Sequence, residues 1–115
     1  SGIPYAHSKV KGNALAPKQW TEAVIKQTKD LPKIKEACIL RVTFLLPPDK
    51  YPADLPYGSD LDNLLKRFQD ALNKTIFSEA KGKDSCIISL TASKVKVTSS
   101  EEAGALLEVI PINKS

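Results

Sequence analysis

The stretch at residues 37–46, ACILRVTFLL, constrains the fold more than any other part of this chain. Cys38, Leu40, Val42, Phe44 and Leu46 fall at every second position, the spacing that puts side chains on one face of a β-strand. Arg41 and Thr43 interrupt the opposite row, so one face belongs to a core and the other meets water. Pro47 and Pro48 end the run, because proline removes a backbone donor. Such a strand needs neighbours in a sheet and a cover over its apolar face.

The cover is legible at residues 61–74, where Leu61, Leu64, Leu65, Phe68 and Leu72 make one continuous helical face. A shorter helix is expected at 17–29. Pro17 suits its first position, and Trp20, Ala23, Val24 and Gln27 recur at three- and four-residue steps. Further strands are expected at 86–96, with Cys86, Ile88, Leu90 and Ala92 on one side, and at 105–112. Pro111 predicts an edge position for the last strand, and two strands in succession predict an antiparallel pair. The expected fold is a single α/β (α+β) domain, a mixed sheet with two main helices on one face. Residues 1–16, punctuated by Gly2, Pro4 and Gly12, read as a basic arm or loop, leaving 17–115 as the domain.

At 115 residues the chain is long enough for one modest core. Its two cysteines, Cys38 and Cys86, lie in apolar runs and read as reduced thiols of a cytoplasmic protein. With His7 as the sole histidine and no Cys-x-x-Cys pair, zinc is not expected. No apolar stretch approaches membrane-spanning length, so no membrane partner is expected. The net charge of +4 is compatible with an anionic partner.

The segment 47–60, PPDKYPADLPYGSD, is a long proline-rich loop that delivers the chain to Asp60 and Asp62. Carboxylates at the start of a helix are favoured by its free N–H groups and dipole, and Ser59 with Asp62 has capping-box spacing. Lys66 and Asp70 follow at four-residue steps and suit surface pairing. A chemical reading stands beside this structural one. If Asp60 lies outside the helix, it can turn toward Asp62. Asp84, at a loop-to-strand boundary, supplies a third acid. Converging carboxylates without histidine or cysteine suit Mg²⁺ or Mn²⁺, and phosphodiester hydrolysis is the natural chemistry of such a site.

The longer string SDLDNLLKRFQDALNKTIF, residues 59–77, followed by DSCIISLTASK, residues 84–94, resembles the RusA-type Holliday junction resolvases. Their D-x-DN-x-x-K-x-x-x-DAL helix precedes a loop, an aspartate and a strand ending in lysine. The resemblance implies Asp60, Asp62 and Asp84 as metal-binding catalytic carboxylates and Lys66 as the essential helix lysine. Asn63, Asp70, Ala71 and Leu72 match the helix signature, and Lys94 the strand lysine. It further implies branched DNA as substrate, a homodimer, and a first strand upstream of Gly2. The chain departs from the family pattern at Lys83, which replaces the first of two adjacent aspartates, and in a longer, more basic loop at 78–83.

The leading expectation is therefore a divalent-metal-dependent, structure-selective endonuclease that cuts Holliday junctions or other branched DNA. The alternative is a non-cleaving nucleic-acid-binding protein of the same fold, motivated by Lys83. His7, Lys9, Lys11, Lys81, Lys83, Lys94 and Lys96 are candidate DNA contacts in either case. A small-molecule phosphoesterase is disfavoured, since no glycine-rich phosphate loop is present.

Overall fold

The computed structural model describes residues 6–48 and 61–112. Four strands and two helices occur in the order β1 (Ala6–Lys11), α1 (Pro17–Thr28), β2 (Cys38–Leu46), α2 (Leu61–Leu72), β3 (Ile87–Lys96) and β4 (Gly104–Pro111). The strands form one mixed sheet in the order β1-β4-β2-β3. β4 runs antiparallel to both β1 and β2, and β3 runs parallel to β2.

β2 alternates as its sequence requires. Cys38, Leu40, Val42, Phe44 and Leu46 are buried, and Arg41 is exposed. Ala105, Leu107 and Val109 of β4 and Val10 of β1 join the same core, against Trp20 and Val24 of α1 and Leu64, Phe68 and Leu72 of α2. Both helices therefore cover one face of the sheet. Phe68 is the joint between layers. Its ring lies edge-on to Phe44 at 5.6 Å and stacks near Trp20 at 6.1 Å. Thr28 and Thr75, both buried, share a 2.8 Å hydrogen bond, and the Thr28 hydroxyl also bonds the Val24 carbonyl oxygen. Two buried hydroxyls are thereby satisfied where the helix ends meet.

Several expectations change. Residues 6–11, read as part of an arm, are strand β1 and pair along their whole length with β4. Alternation was hidden there because Val10 is the buried apolar member of a short, polar segment. β3 and β4, adjacent in sequence, are not neighbours, because β2 lies between them. β4 is also not an edge strand. Its Pro111 is tolerated because it is the final strand residue, and the next residue, Ile112, donates to the Ala37 carbonyl oxygen just before β2. At the start of β3 the register against β2 shifts between Cys38 and Ile39. This bulge turns Ile88 out to 63% exposure, while Ile87 packs at the core margin. No helix among the described residues is long and apolar enough to cross a membrane.

Two measurements check this architecture. Phe68→Ala removes the ring shared by both helices and β2, and should cost about 3–5 kcal/mol in urea unfolding. Gly104 has φ +155° and lies so close to β1 that a Cβ would overlap the Val10 carbonyl oxygen. Gly104→Ala should therefore weaken the β1–β4 ladder, with faster amide exchange across residues 6–11 than in the parent.

Candidate nuclease site

A parallel strand pair needs a crossover, and α2 supplies it between β2 and β3. Its direction follows from two contacts. Phe68, in the middle of α2, packs on Phe44 near the C-terminal end of β2. Beyond the helix C-terminus, the Ile76 carbonyl oxygen accepts from Ile34, just before β2 begins. α2 thus runs antiparallel to β2 and β3, with its N-terminus at their C-terminal ends. Open α/β sheets place ligands at that edge.

The exposed face of α2 carries Asp62, Asn63, Lys66 and Asp70. Asn63, Lys66, Arg67 and Asp70 line an open groove of ≈ 200 Å³. Arg67 is anchored by a 3.4 Å bond to the Ala14 carbonyl oxygen. Among the described residues Asp62, Lys66 and Asp70 form no ion pairs with one another. The surface pairing that their four-residue spacing suggested is therefore absent, and all three face solvent. Asp60 and Ser59, with the expected capping box, lie outside the described residues. Lys94 and Lys96 are in register with Phe44 and Leu46, so they emerge on the helix-covered face at the same end of the sheet as Asp62.

Asp84 lies elsewhere. It is half-buried in a 3₁₀ turn, Lys83–Cys86, that enters β3 at its N-terminal end. Its Oδ2 accepts a 3.3 Å hydrogen bond from Asn73 Nδ2. Asn73 follows directly on the last residue of α2. It lies eleven residues after Asp62, about 16 Å along a helix axis at 1.5 Å per residue. One chain therefore does not bring Asp84 to Asp62. Among the described residues no group of three or more acids, cysteines or histidines is placed to hold a metal ion. Asp62 by itself does not make a cation site.

The basic candidates separate into three places. Lys9 and Lys11 alternate with buried Val10 and so emerge from the uncovered sheet face, on β1. His7 is opposite Glu108 in the same ladder. Lys81 and Lys83 are exposed beside Asp84. Lys83 takes φ +54° after left-handed Gly82, and its Nζ donates to the Ser78 carbonyl oxygen at 2.7 Å. Lys94 and Lys96 stand on the opposite edge strand from Lys9 and Lys11. Asn73, the partner of Asp84, was not singled out by sequence. Its position immediately after the DAL triplet is the signal that could have marked it.

The thiols form a further cluster. Cys38 Sγ and Cys86 Sγ lie 3.9 Å apart, and both cysteines are free. Burial, then the neighbouring Cys86, pushes the Cys38 thiol up to about 12, and burial also raises Cys86.

Among curated proteins, none matches the chain. The family described as Endodeoxyribonuclease RusA matches residues 10–109, from β1 to β4. That span takes in both helices, the acidic face of α2 and the turn carrying Asp84. The chain accordingly belongs to the RusA family of endodeoxyribonucleases.

Proposed function

We propose that this protein is a structure-selective endonuclease that requires Mg²⁺ or Mn²⁺ and cuts Holliday junctions or related branched DNA as a homodimer. The observation that carries this reading is the edge at the N-terminus of α2. There Asp62 and Lys66 stand exposed on one helical face, at the C-terminal ends of two parallel strands, with Lys94 and Lys96 on the helix-covered face at the same end of the sheet. A carboxylate with flanking ammonium groups suits a phosphodiester: the lysines neutralise backbone phosphate and orient it, while acids hold a hard cation. The cation supplies charge neutralisation and a reactive water when bound. Lys66 is positioned to contact the phosphate, and Asn63 offers an amide at the rim of the same groove.

In this reading the third acid comes from a second chain. Asp84 is bonded to Asn73 at the far end of α2, which argues against one chain closing the site on its own. In a two-fold dimer each site would combine Asp60 and Asp62 of one copy with Asp84 of the other. Two such sites suit a substrate that needs two symmetric nicks.

A second reading, junction binding without cleavage, is favoured by Lys83. It stands where the family carries an acid, and its ammonium is committed to the Ser78 carbonyl oxygen. Parent protein that binds a four-way junction but leaves it uncut in Mg²⁺ or Mn²⁺ would decide for this reading.

Two experiments test the leading one. Asp62→Asn should lower Mg²⁺-dependent cleavage of a synthetic four-way junction about a hundredfold or more, with binding retained, since even outer-shell partners of metal sites cost 10–100-fold. Cleavage at the parental rate would reject the site. Co-refolding Asp62→Asn with Asp84→Asn chains should restore cleavage as single nicks, because a mixed dimer recovers one intact site. If both variants are inactive and the mixture stays inactive, the shared-site arrangement is wrong, although the endonuclease reading survives.

A further inference from the structure

Cys38 and Cys86 have no part in the reading above, yet their sulfurs lie 3.9 Å apart, within hydrogen-bonding distance, and both are free thiols. Cys38 is fully buried as the first residue of β2, and Cys86 is half-buried as the last residue of the 3₁₀ turn. The register partner of Cys38 is Ile87, the residue after Cys86. Cys86 therefore lies diagonally across from Cys38, one position back along the neighbouring chain. The two sulfurs, now at 3.9 Å, must close to about 2.05 Å to bond.

We propose that Cys38 and Cys86 are a reversible modification site, closed to an intramolecular disulfide by small-molecule disulfides of the oxidised-glutathione class, and that closure displaces the turn carrying Asp84. The displacement falls on the turn because β2 is held along both edges and over its apolar face. β4 and β3 flank it and both helices cover it. The turn, by contrast, is a short hydrogen-bonded unit, with Ser85 donating to Gly82 and Ile87 to Asp84. It adjoins a bulge that gives slack in the β2–β3 register. Asp84 sits two residues before Cys86 in that unit, held by a single side-chain bond from Asn73. Pulling Cys86 inward draws Asp84 away from Asn73.

The chemistry balances. The Cys86 thiolate, the solvent-accessible partner, attacks one sulfur of the small disulfide and expels one thiolate. Cys38 then attacks Cys86 Sγ and expels the second. The protein loses two hydrogen atoms, and the small disulfide is reduced to two thiols that take up both protons. Buried Cys38 supplies little thiolate near neutrality, which makes the second step slow, so a glutathione adduct on Cys86 precedes the closed disulfide.

The test uses the full chain, folded, incubated with oxidised glutathione, alkylated, and weighed intact. The expected product has lost both alkylatable thiols and two hydrogens, carries no glutathione, and reverts with dithiothreitol. Cys38→Ala should instead retain one glutathione. Should that core variant fail to fold, Cys86→Ser should take up no glutathione and lose no thiol. A parent that keeps both thiols, or stops at one glutathione on Cys86, overturns the site. Amide exchange across residues 83–86 should rise in the oxidised parent, and unchanged exchange overturns the displacement. The effect on catalysis rests on the endonuclease reading: junction cleavage should fall about a hundredfold on oxidation, the scale of an ångström-level misplacement. It should recover on reduction, and Cys86→Ser should be insensitive. Unchanged cleavage by the oxidised parent overturns the link to Asp84. A parent inactive in both redox states counts against the endonuclease reading, while mass and exchange still decide the thiol site.

Discussion

The packing of Phe68 between Phe44 and Trp20 organises the molecule. One ring touches the central strand and both helices, so it fixes how far along β2 the second helix sits and how the two helices lie together. Close packing leaves little freedom to slide a helix by a fraction of a turn. The position of Asp62 and Lys66 relative to the sheet edge therefore follows from a contact that neither of them makes.

The parallel pairing of β2 and β3 has an equally direct consequence. A crossover helix must return the chain to the start of the next strand, so its two ends lie at opposite edges of the sheet. Acids that flank such a helix in sequence, as Asp62 and Asp84 do, are thereby kept apart in one chain. From Asp62 to Asn73, the partner of Asp84, the chain runs about 16 Å along the helix axis. The proposed sharing of a site between two copies answers this separation.

The turn between α2 and β3 concentrates several side-chain contacts. Lys83 sits in left-handed backbone and spends its ammonium on Ser78, Asp84 is tied to Asn73, and Cys86 faces Cys38. Three neighbouring side chains thus have local partners of different chemistry. The position of the turn is set by all of them together, so a change at any one is felt by Asp84.

Much of this was legible in the sequence. Period-two alternation placed β2, the leucine face placed α2, and Pro17 with the Trp20–Val24 spacing placed α1, because burial on one face leaves a direct periodic trace. The acids, Lys66 and the family resemblance were likewise visible, as residue identities at fixed spacing. Sequence missed β1, whose short polar stretch shows one buried apolar residue. It also misplaced β4, because strand order is decided by which partners complete the core, and adjacency along the chain carries little of that. The opposite placement of Asp62 and Asp84, the Asn73 contact and the approach of Cys38 to Cys86 belong to tertiary structure alone. Each depends on the parallel register of β2 with β3, a pairing between segments some fifty residues apart that leaves no local signature.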